Sequence, residues 1–225
     1  ALLVLGSAPP SVETYQRALE GELLHVSLTR RIHGRPLPPM ELVDMREEMR
    51  QGNRSILSER LREALEQVLS ESQQAVLFIN RRGYSTFVLC RECGCVLQCR
   101  DCSVSLTYHA EDDRLRCHYC GHAQTPPSAC PQCGSRLLRR FGAGTQRVEE
   151  AVRAAFPGAK VLRLDVDTTR RKGDAERILR AFHQREAHVL IGTQMVAKGH
   201  DFPGVSLVGV IAADSGLYLP DFRAA

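Results

Sequence analysis

The sequence predicts an α/β protein: a parallel sheet covered by helices on both faces, interrupted by a cysteine-rich insertion. Three observations predict it. Short apolar runs alternate with helix-like stretches along most of the 225 residues, and strands alternating with helices imply a parallel sheet. All nine cysteines lie between Cys90 and Cys133. The α/β alternation then resumes, so residues 90–133 form an insertion within one domain and not a terminal appendage.

The elements follow in order. Leu2-Leu3-Val4-Leu5 reads as a short buried strand. The Gly6-Ser7-Ala8-Pro9-Pro10-Ser11 stretch breaks it, and Ser11 can cap a helix running through Leu19. Residues 26–53 hold several Pro, Gly and Arg residues with little periodicity, which predicts an extended connector. Leu57, Leu61, Leu65 and Leu69 recur every four residues, a helix that Ser55 or Ser58 can cap. Ala75-Val76-Leu77-Phe78-Ile79 is a buried strand. After the cysteines, residues 137–141 read as a strand and Gly142-Ala143-Gly144 as a turn. A helix is predicted over about 145–156, a strand over 160–164, a helix over 174–183 and strands over 188–191 and 205–212.

Composition sets few limits. The chain is 43% hydrophobic and 25% charged, ordinary for a globular protein. Its net charge of +4 permits nucleic-acid binding without arguing for it. Basic clusters occur at Arg30 and Arg31, Arg81 and Arg82, Arg139 and Arg140, and Arg170, Arg171 and Lys172. The bland reading of each is a solvated face. No apolar run reaches the length of a membrane span, so a cytoplasmic protein is expected. Both termini read as cut, which predicts a piece of a larger protein.

Eight cysteines form four C-x-x-C pairs: Cys90/Cys93, Cys99/Cys102, Cys117/Cys120 and Cys130/Cys133. Gly94, Gly121 and Gly134 follow three of them and Ser103 the fourth. Glycine there suits a tight knuckle whose backbone N–H groups point at thiolates. Two knuckles supply four tetrahedral sulfur ligands, so four predict two closed zinc sites. Three pairings are possible. The 103–116 gap between the inner pairs is near the usual ribbon spacing, favouring Cys99, Cys102, Cys117 and Cys120 on one zinc. The outer four then share the other. Sequential pairing needs a tight 94–98 link, and a cross-brace stays open.

Other cysteine chemistries fit less well. A disulfide framework suits a small secreted chain. A redox C-x-x-C normally occurs once, at a strand-to-helix turn. Iron–sulfur ligation stays open, though paired knuckles suit zinc better. Cys95 is a spare thiol. His109, His118 and His122 are expected near the sites, not in them. Closed four-thiolate sites leave no position for water, which predicts structure and not catalysis.

Two further segments carry chemistry. Gly142-Ala143-Gly144-Thr145-Gln146 precedes a helix, where backbone N–H groups can hold a phosphate. Residues 192–202, Gly-Thr-Gln-Met-Val-Ala-Lys-Gly-His-Asp-Phe, follow an apolar strand. Loops at the carboxyl ends of parallel strands are where such sheets bind ligands; the bland alternative is a polar connector.

The chain resembles the primosomal replication-restart DNA helicases, the PriA family. The resemblance rests on Arg81-Arg82-Gly83-Tyr84, the eight paired cysteines, Gly144-Thr145-Gln146, Asp167-Thr168-Thr169, Arg171-Lys172-Gly173, residues 192–203, Asp214-Ser215-Gly216 and Asp221-Phe222-Arg223. It implies an ATP-dependent, 3′–5′ helicase with two RecA-like lobes that binds stalled forks and starts primosome assembly. It implies two zincs with outer and inner cysteines paired as the spacing favours. It also implies a partition of the chain. Residues 1–25 would be a remnant of the first lobe, 26–53 a connector, 54–89 and 134–225 the second lobe, and 90–133 the zinc insertion.

Implied partners are forked and single-stranded DNA, single-stranded DNA-binding protein and helicase-loading proteins; a monomer away from membranes is expected. Thr193, Gln194, Lys198 and Gly199 match the segment coupling nucleotide to DNA. Gly144 and Thr145 are expected at the DNA backbone, with Arg81, Arg82 and Lys172 as electrostatic contacts. Pro9 stands where the family carries Thr. The sequence holds no G-x-x-x-x-G-K-[ST] and no Asp-Glu pair after a strand, so ATP and magnesium would need a partner lobe. A non-enzymatic zinc module on an α/β scaffold is the alternative, and a thiol redox enzyme a weaker third.

Overall fold

The computed structural model describes residues 2–7, 9–29, 34, 36–79, 86–141, 144–197 and 200–214. The chain divides into two units, Ala1–Leu42 and Val43–Ala225. In the first unit, helix α1 (Val12–Leu19) starts where expected, with the Ser11 hydroxyl accepting from the Thr14 N–H at 3.2 Å. The strand expected at residues 2–5 is absent: Leu2 is 93% exposed, and its three neighbours are exposed as well. An apolar run becomes a strand only where another strand takes its backbone hydrogen bonds, and none among the described residues does.

In the second unit, the expected connector contains helix α2 (Met45–Arg50). Asp44 caps it by accepting from the Arg46 N–H at 2.9 Å. Glu48 then reaches forward, and its carboxylate accepts from Asn53 Nδ2 and from the Glu59 N–H at 2.6 and 2.8 Å. That second bond, with the Ser58 hydroxyl accepting from Leu61, caps helix α3 (Glu59–Ser70).

Strand β1 (Gln74–Ile79) follows. Later in the chain come helix α4 (Thr145–Ala155), β7 (Val161–Leu164), helix α5 (Asp174–His183), β8 (Val189–Gly192), the short helix α6 (Gln194–Ala197) and β9 (Val205–Ile211). The four strands form a parallel sheet in the order β7-β8-β1-β9. Alternate residues of β1 serve the two faces. Ala75, Leu77 and Ile79 join Leu65 and Val68 of α3 and Val148 and Val152 of α4. Val76 joins Phe182 of α5 and Val196 of α6. Burial on both faces is why these strands read as continuous apolar runs.

The cysteine region makes its own sheet. Strands β2 (Thr86–Cys90), β3 (Thr107–His109), β4 (Arg114–Arg116), β5 (Ala123–Gln124) and β6 (Leu138–Phe141) run antiparallel in the order β5-β4-β3-β2-β6. Its small core holds Val88, Leu97, Leu106, Tyr108 and Leu115 with Cys99 and Cys117. The β2/β6 ladder extends this sheet beyond residues 90–133 on both sides. The sequence had suggested that residues 137–141 rejoin the parallel sheet; instead β6 pairs with β2 as the exit arm of the module. Two adjacent arginines, Arg139 and Arg140, suit a half-exposed ribbon, whereas a strand covered on both faces would have to bury one of them.

Candidate metal centre

The four knuckles share one backbone design. The residue after the second cysteine donates its N–H to the first cysteine's carbonyl: Gly94 to Cys90, Ser103 to Cys99, Gly121 to Cys117 and Gly134 to Cys130, at 2.8–3.0 Å. The first cysteine's N–H in turn reaches the carbonyl five residues on, at Cys95, Val104, His122 and Ser135. This closure forces a left-handed backbone after the second cysteine, with φ of 79°, 76° and 72° at the three glycines and 55° at Ser103. Glycine takes that conformation without penalty; Ser103 bears a cost of roughly 1 kcal/mol.

The knuckles bring eight sulfurs into two groups. Cys90, Cys93, Cys130 and Cys133 form one, Cys99, Cys102, Cys117 and Cys120 the other, each with its sulfurs within 4.8 Å of one another. The Sγ separations are 3.7 Å for Cys90–Cys133, 3.7 Å for Cys93–Cys130 and 3.6 Å for Cys99–Cys120. Four sulfurs placed tetrahedrally at the usual zinc–sulfur bond length lie about 3.8 Å apart. The groups are therefore of the size that zinc requires, and far too open for disulfides.

Charge makes the same point. Burial raises the pKa of Cys130, but N–H groups of Cys133 and Gln132 outweigh it and bring the thiol down to about 6. The N–H of Cys120 lowers Cys117 to about 7, helped by that of Tyr119. Cys102 is pushed up to about 12, first by its contact with the Cys120 sulfur and then by burial. At Cys133 the Ser135 N–H pulls down, but burial and the three neighbouring sulfurs carry it to about 12. Each group thus sets a thiol of lowered pKa, Cys130 or Cys117, beside one of raised pKa, Cys133 or Cys102. A bound dication lets all four ionise, and when bound, zinc supplies a tetrahedral cross-link with no open position. The two tetrads fit two zinc ions. Cys95 stands outside both, its thiol facing the Val96 carbonyl at 3.8 Å. So do His109 and His118, whose rings lie 5.4 Å apart, and His122, which meets Gln124 at 3.2 Å.

The other expected residues that are described lie after strands and at helix starts. Thr193 follows β8 and is half-buried, and Gln194 opens α6. Gly144 is the N-cap of α4 and offers no side-chain cap. Lys172 is exposed in the turn before α5. Arg81, Arg82, Lys198 and Gly199 lie outside the described residues. Thr145 is buried, and its hydroxyl donates to the Asp165 carboxylate.

That bond belongs to a cluster missed in the sequence. Asp165 follows β7 and is 3% exposed. Its Oδ1 accepts from the Thr168 N–H at 2.9 Å, and Arg163 Nε lies 3.2 Å from its Oδ2, an ionic contact without hydrogen-bond geometry. The signal was an Asp followed three residues later by Thr at a strand end, a reciprocal pair like a capping box: the Asp165 N–H in turn donates to the Thr168 hydroxyl at 3.0 Å.

Gly192, between β8 and the loop, is fixed by space. A Cβ there would lie 2.9 Å from the Leu164 carbonyl oxygen and 2.7 Å from a Val196 methyl. Gly192→Ala is expected to destabilise the chain by about 1–3 kcal/mol, read as a lower denaturant midpoint; an unchanged midpoint would contradict this packing.

Fold and site together define a class: a parallel α/β lobe carrying a module of two nested four-cysteine ribbons. Residues 99–124, which include the whole inner tetrad, match the PriA DNA helicase Cys-rich region (CRR) domain. The chain is 54% identical over 223 residues to replication restart protein PriA of Bacillus subtilis, covering 99% of this chain and 28% of that protein. It is 49% identical over 231 residues to PriA of Synechocystis, with coverages of 99% and 28%. To PriA of Haemophilus influenzae it is 40% identical over 222 residues, covering 99% and 30%. The chain belongs to the PriA family over the segment it spans, which is less than a third of the length of these curated relatives.

Proposed function

We propose that this chain is the second motor lobe, with its zinc insertion, of an ATP-dependent 3′–5′ DNA helicase that acts at stalled forks to restart replication. The observation that carries the reading is the placement of two four-cysteine ribbons between β1 and α4 of a parallel sheet. It is supported by the end-to-end likeness to proteins named for replication restart. In this reading Thr193, Gln194, Lys198 and Gly199 couple nucleotide to DNA. Gly144 and Thr145 lie by the DNA backbone, and Arg81, Arg82 and Lys172 add electrostatic attraction. Zinc keeps the module's shape. ATP and magnesium bind only with a lobe that carries a P-loop. Fork shape, single-stranded DNA-binding protein and helicase-loading proteins are read largely by domains outside this segment.

The chain alone is expected to bind single-stranded and forked DNA with little sequence preference and strong salt dependence, and to hydrolyse no ATP. Anisotropy titrations and steady-state ATPase assays check both. DNA-stimulated turnover well above background would refute the division of labour between lobes, and absence of DNA binding at low salt would refute the motor-lobe reading. A non-enzymatic zinc module, the second reading, would bind DNA with Thr193 and Gln194 dispensable.

A further inference from the structure

Helix α6 has four residues, far fewer than a helix needs to hold itself in water. Its placement is therefore set by what it touches. Near its start the Val196 N–H donates to the Thr193 carbonyl at 3.0 Å. The Val196 side chain is buried with Phe182 and Leu190 and fills the space that Gly192 leaves open. The carbonyls at a helix end have no partner inside the helix. His200 supplies one from outside: its Nε2 lies 3.0 Å from the Met195 carbonyl oxygen. A carbonyl only accepts, so the proton of that bond is on Nε2.

The imidazole is itself held. His200 is exposed, and fixing an exposed side chain costs rotamer entropy. Here the cost is offset by a stack of rings. His200 lies over Phe202, with centroids 5.6 Å apart and planes at 26°. Phe202 stands edge-on to the fully buried Phe182, at 5.0 Å and 80°. Gln74, the first residue of β1, ties the base of this stack. Its N–H donates to the Gly204 carbonyl at 2.9 Å, and its buried Nε2 donates to the carbonyls of Phe182 and Ala187, both at 2.8 Å. An unbroken path of contacts thus runs from the core strand through Phe182, Phe202 and His200 to α6.

We propose that His200 is a positioning residue: by holding the Met195 carbonyl it fixes the orientation of α6 and, through α6, of Thr193 and Gln194. This role rests on the motor-lobe reading above, which has those two residues act on DNA, and it adds a residue that neither touches DNA nor carries the core. Nε2 is already engaged, and one face of the ring is covered by Phe202. Met195 is exposed, so water is at hand for its carbonyl when the imidazole is removed, and the bond adds little to stability. What it supplies is direction.

The test compares His200→Phe, which keeps a ring to stack on Phe202 but has no donor, with His200→Gln, which keeps a donor at the end of its chain. Each is also made in the T193A/Q194A background. Affinity for fluorescent single-stranded DNA is measured by anisotropy over a salt series, with zinc content and the denaturant midpoint as checks of the fold. His200→Phe should weaken binding roughly two- to tenfold, the worth of one hydrogen bond, and His200→Gln should restore most of the loss. The midpoint and the slope of log affinity against log salt should not change, because neither a core contact nor a phosphate contact is removed. In the T193A/Q194A background His200→Phe should cost nothing further, since residues that act as one unit are not additive. Parent-like binding by His200→Phe, or an equal loss in both backgrounds, would overturn the positioning role and leave the motor-lobe reading standing. So would a lowered midpoint, which would make His200 a general support, or a lowered salt slope, which would make it a phosphate contact. If T193A/Q194A itself binds like the parent, the motor-lobe reading fails and the role of His200 fails with it.

Discussion

Chelation should release two zinc ions per chain and unfold residues 86–141 while the parallel sheet persists. The module cannot stand on its apolar core. That core has five side chains besides the cysteines, each contributing about 1.5–3 kcal/mol. Ordering the backbone costs about 1–2 kcal/mol per residue, and the module has far more residues than core side chains. Its strands run from two to five residues, too short to hold alone. Structural zinc sites contribute about 10–16 kcal/mol each in small domains. The parallel sheet has its own two cores, neither of which holds a cysteine. Hydrogen exchange before and after chelation is the measurement. Protection at Leu97, Leu106 and Leu115 should vanish, and protection at Leu77, Leu190 and Ile191 should remain. If the first three stay protected in metal-free protein, the cysteine groups are not what holds the module.

The two tetrads are not equivalent in this respect. The outer one lies where the module joins the lobe. Cys90 ends β2, Arg91 bonds to the carbonyls of Arg54 and Ser55, and Gly94 faces the Arg46 side chain, where a Cβ would lie 3.3 Å from Arg46 Cδ. The inner one closes a ribbon whose contacts are within the module. Partial metal loss from the inner site should therefore free residues 99–124 without loosening the turn before α3.

What could be read in the sequence follows from how local each feature is. The Ser11 and Ser58 caps, the four-residue leucine spacing of α3 and the boundaries of α5 depend on residues a few positions apart, and they were legible. The eight cysteines were legible because metal ligation fixes residue type and spacing together. Strand pairing was not. Leu-Arg-Arg-Phe reads as a strand whichever sheet it joins, and only its partner, β2, shows that it leaves the module. Leu2-Leu3-Val4-Leu5 failed for the same reason: a strand is a relation between two segments. Helix α2 was missed although Asp44 and Glu47 stand in capping positions, because the surrounding Pro, Gly and Arg dominated the reading. The bond from the Thr145 hydroxyl to Asp165, twenty residues away in sequence, is announced by no local pattern.

Asp165→Ala should destabilise the chain by about 2–4 kcal/mol, among the largest effects expected outside the cysteines. It strips the acceptor from the Thr145 hydroxyl and the Thr168 N–H, and it leaves Arg163 with only Glu149, at 3.6 Å. The pH dependence has a definite sign. Burial, the largest single influence, raises the pKa of Asp165, but the Thr145 hydroxyl, the Thr168 N–H and the Arg163 charge together outweigh it, and the folded value lies below the ordinary 3.8. The unfolded chain therefore binds the proton more readily. The stabilisation is complete above the unfolded pKa and is lost as pH falls through it toward the folded value. Acid also drives zinc from the thiolates, so the informative quantity is the difference between the parent chain and Asp165→Asn, in which metal loss is common to both. That difference should be constant from about pH 5 upward and should shrink below about pH 4. A difference that stays level into acid would mean that Asp165 is held as the neutral acid, and the helix start at Gly144 would then be anchored by a shared proton and not by a charge.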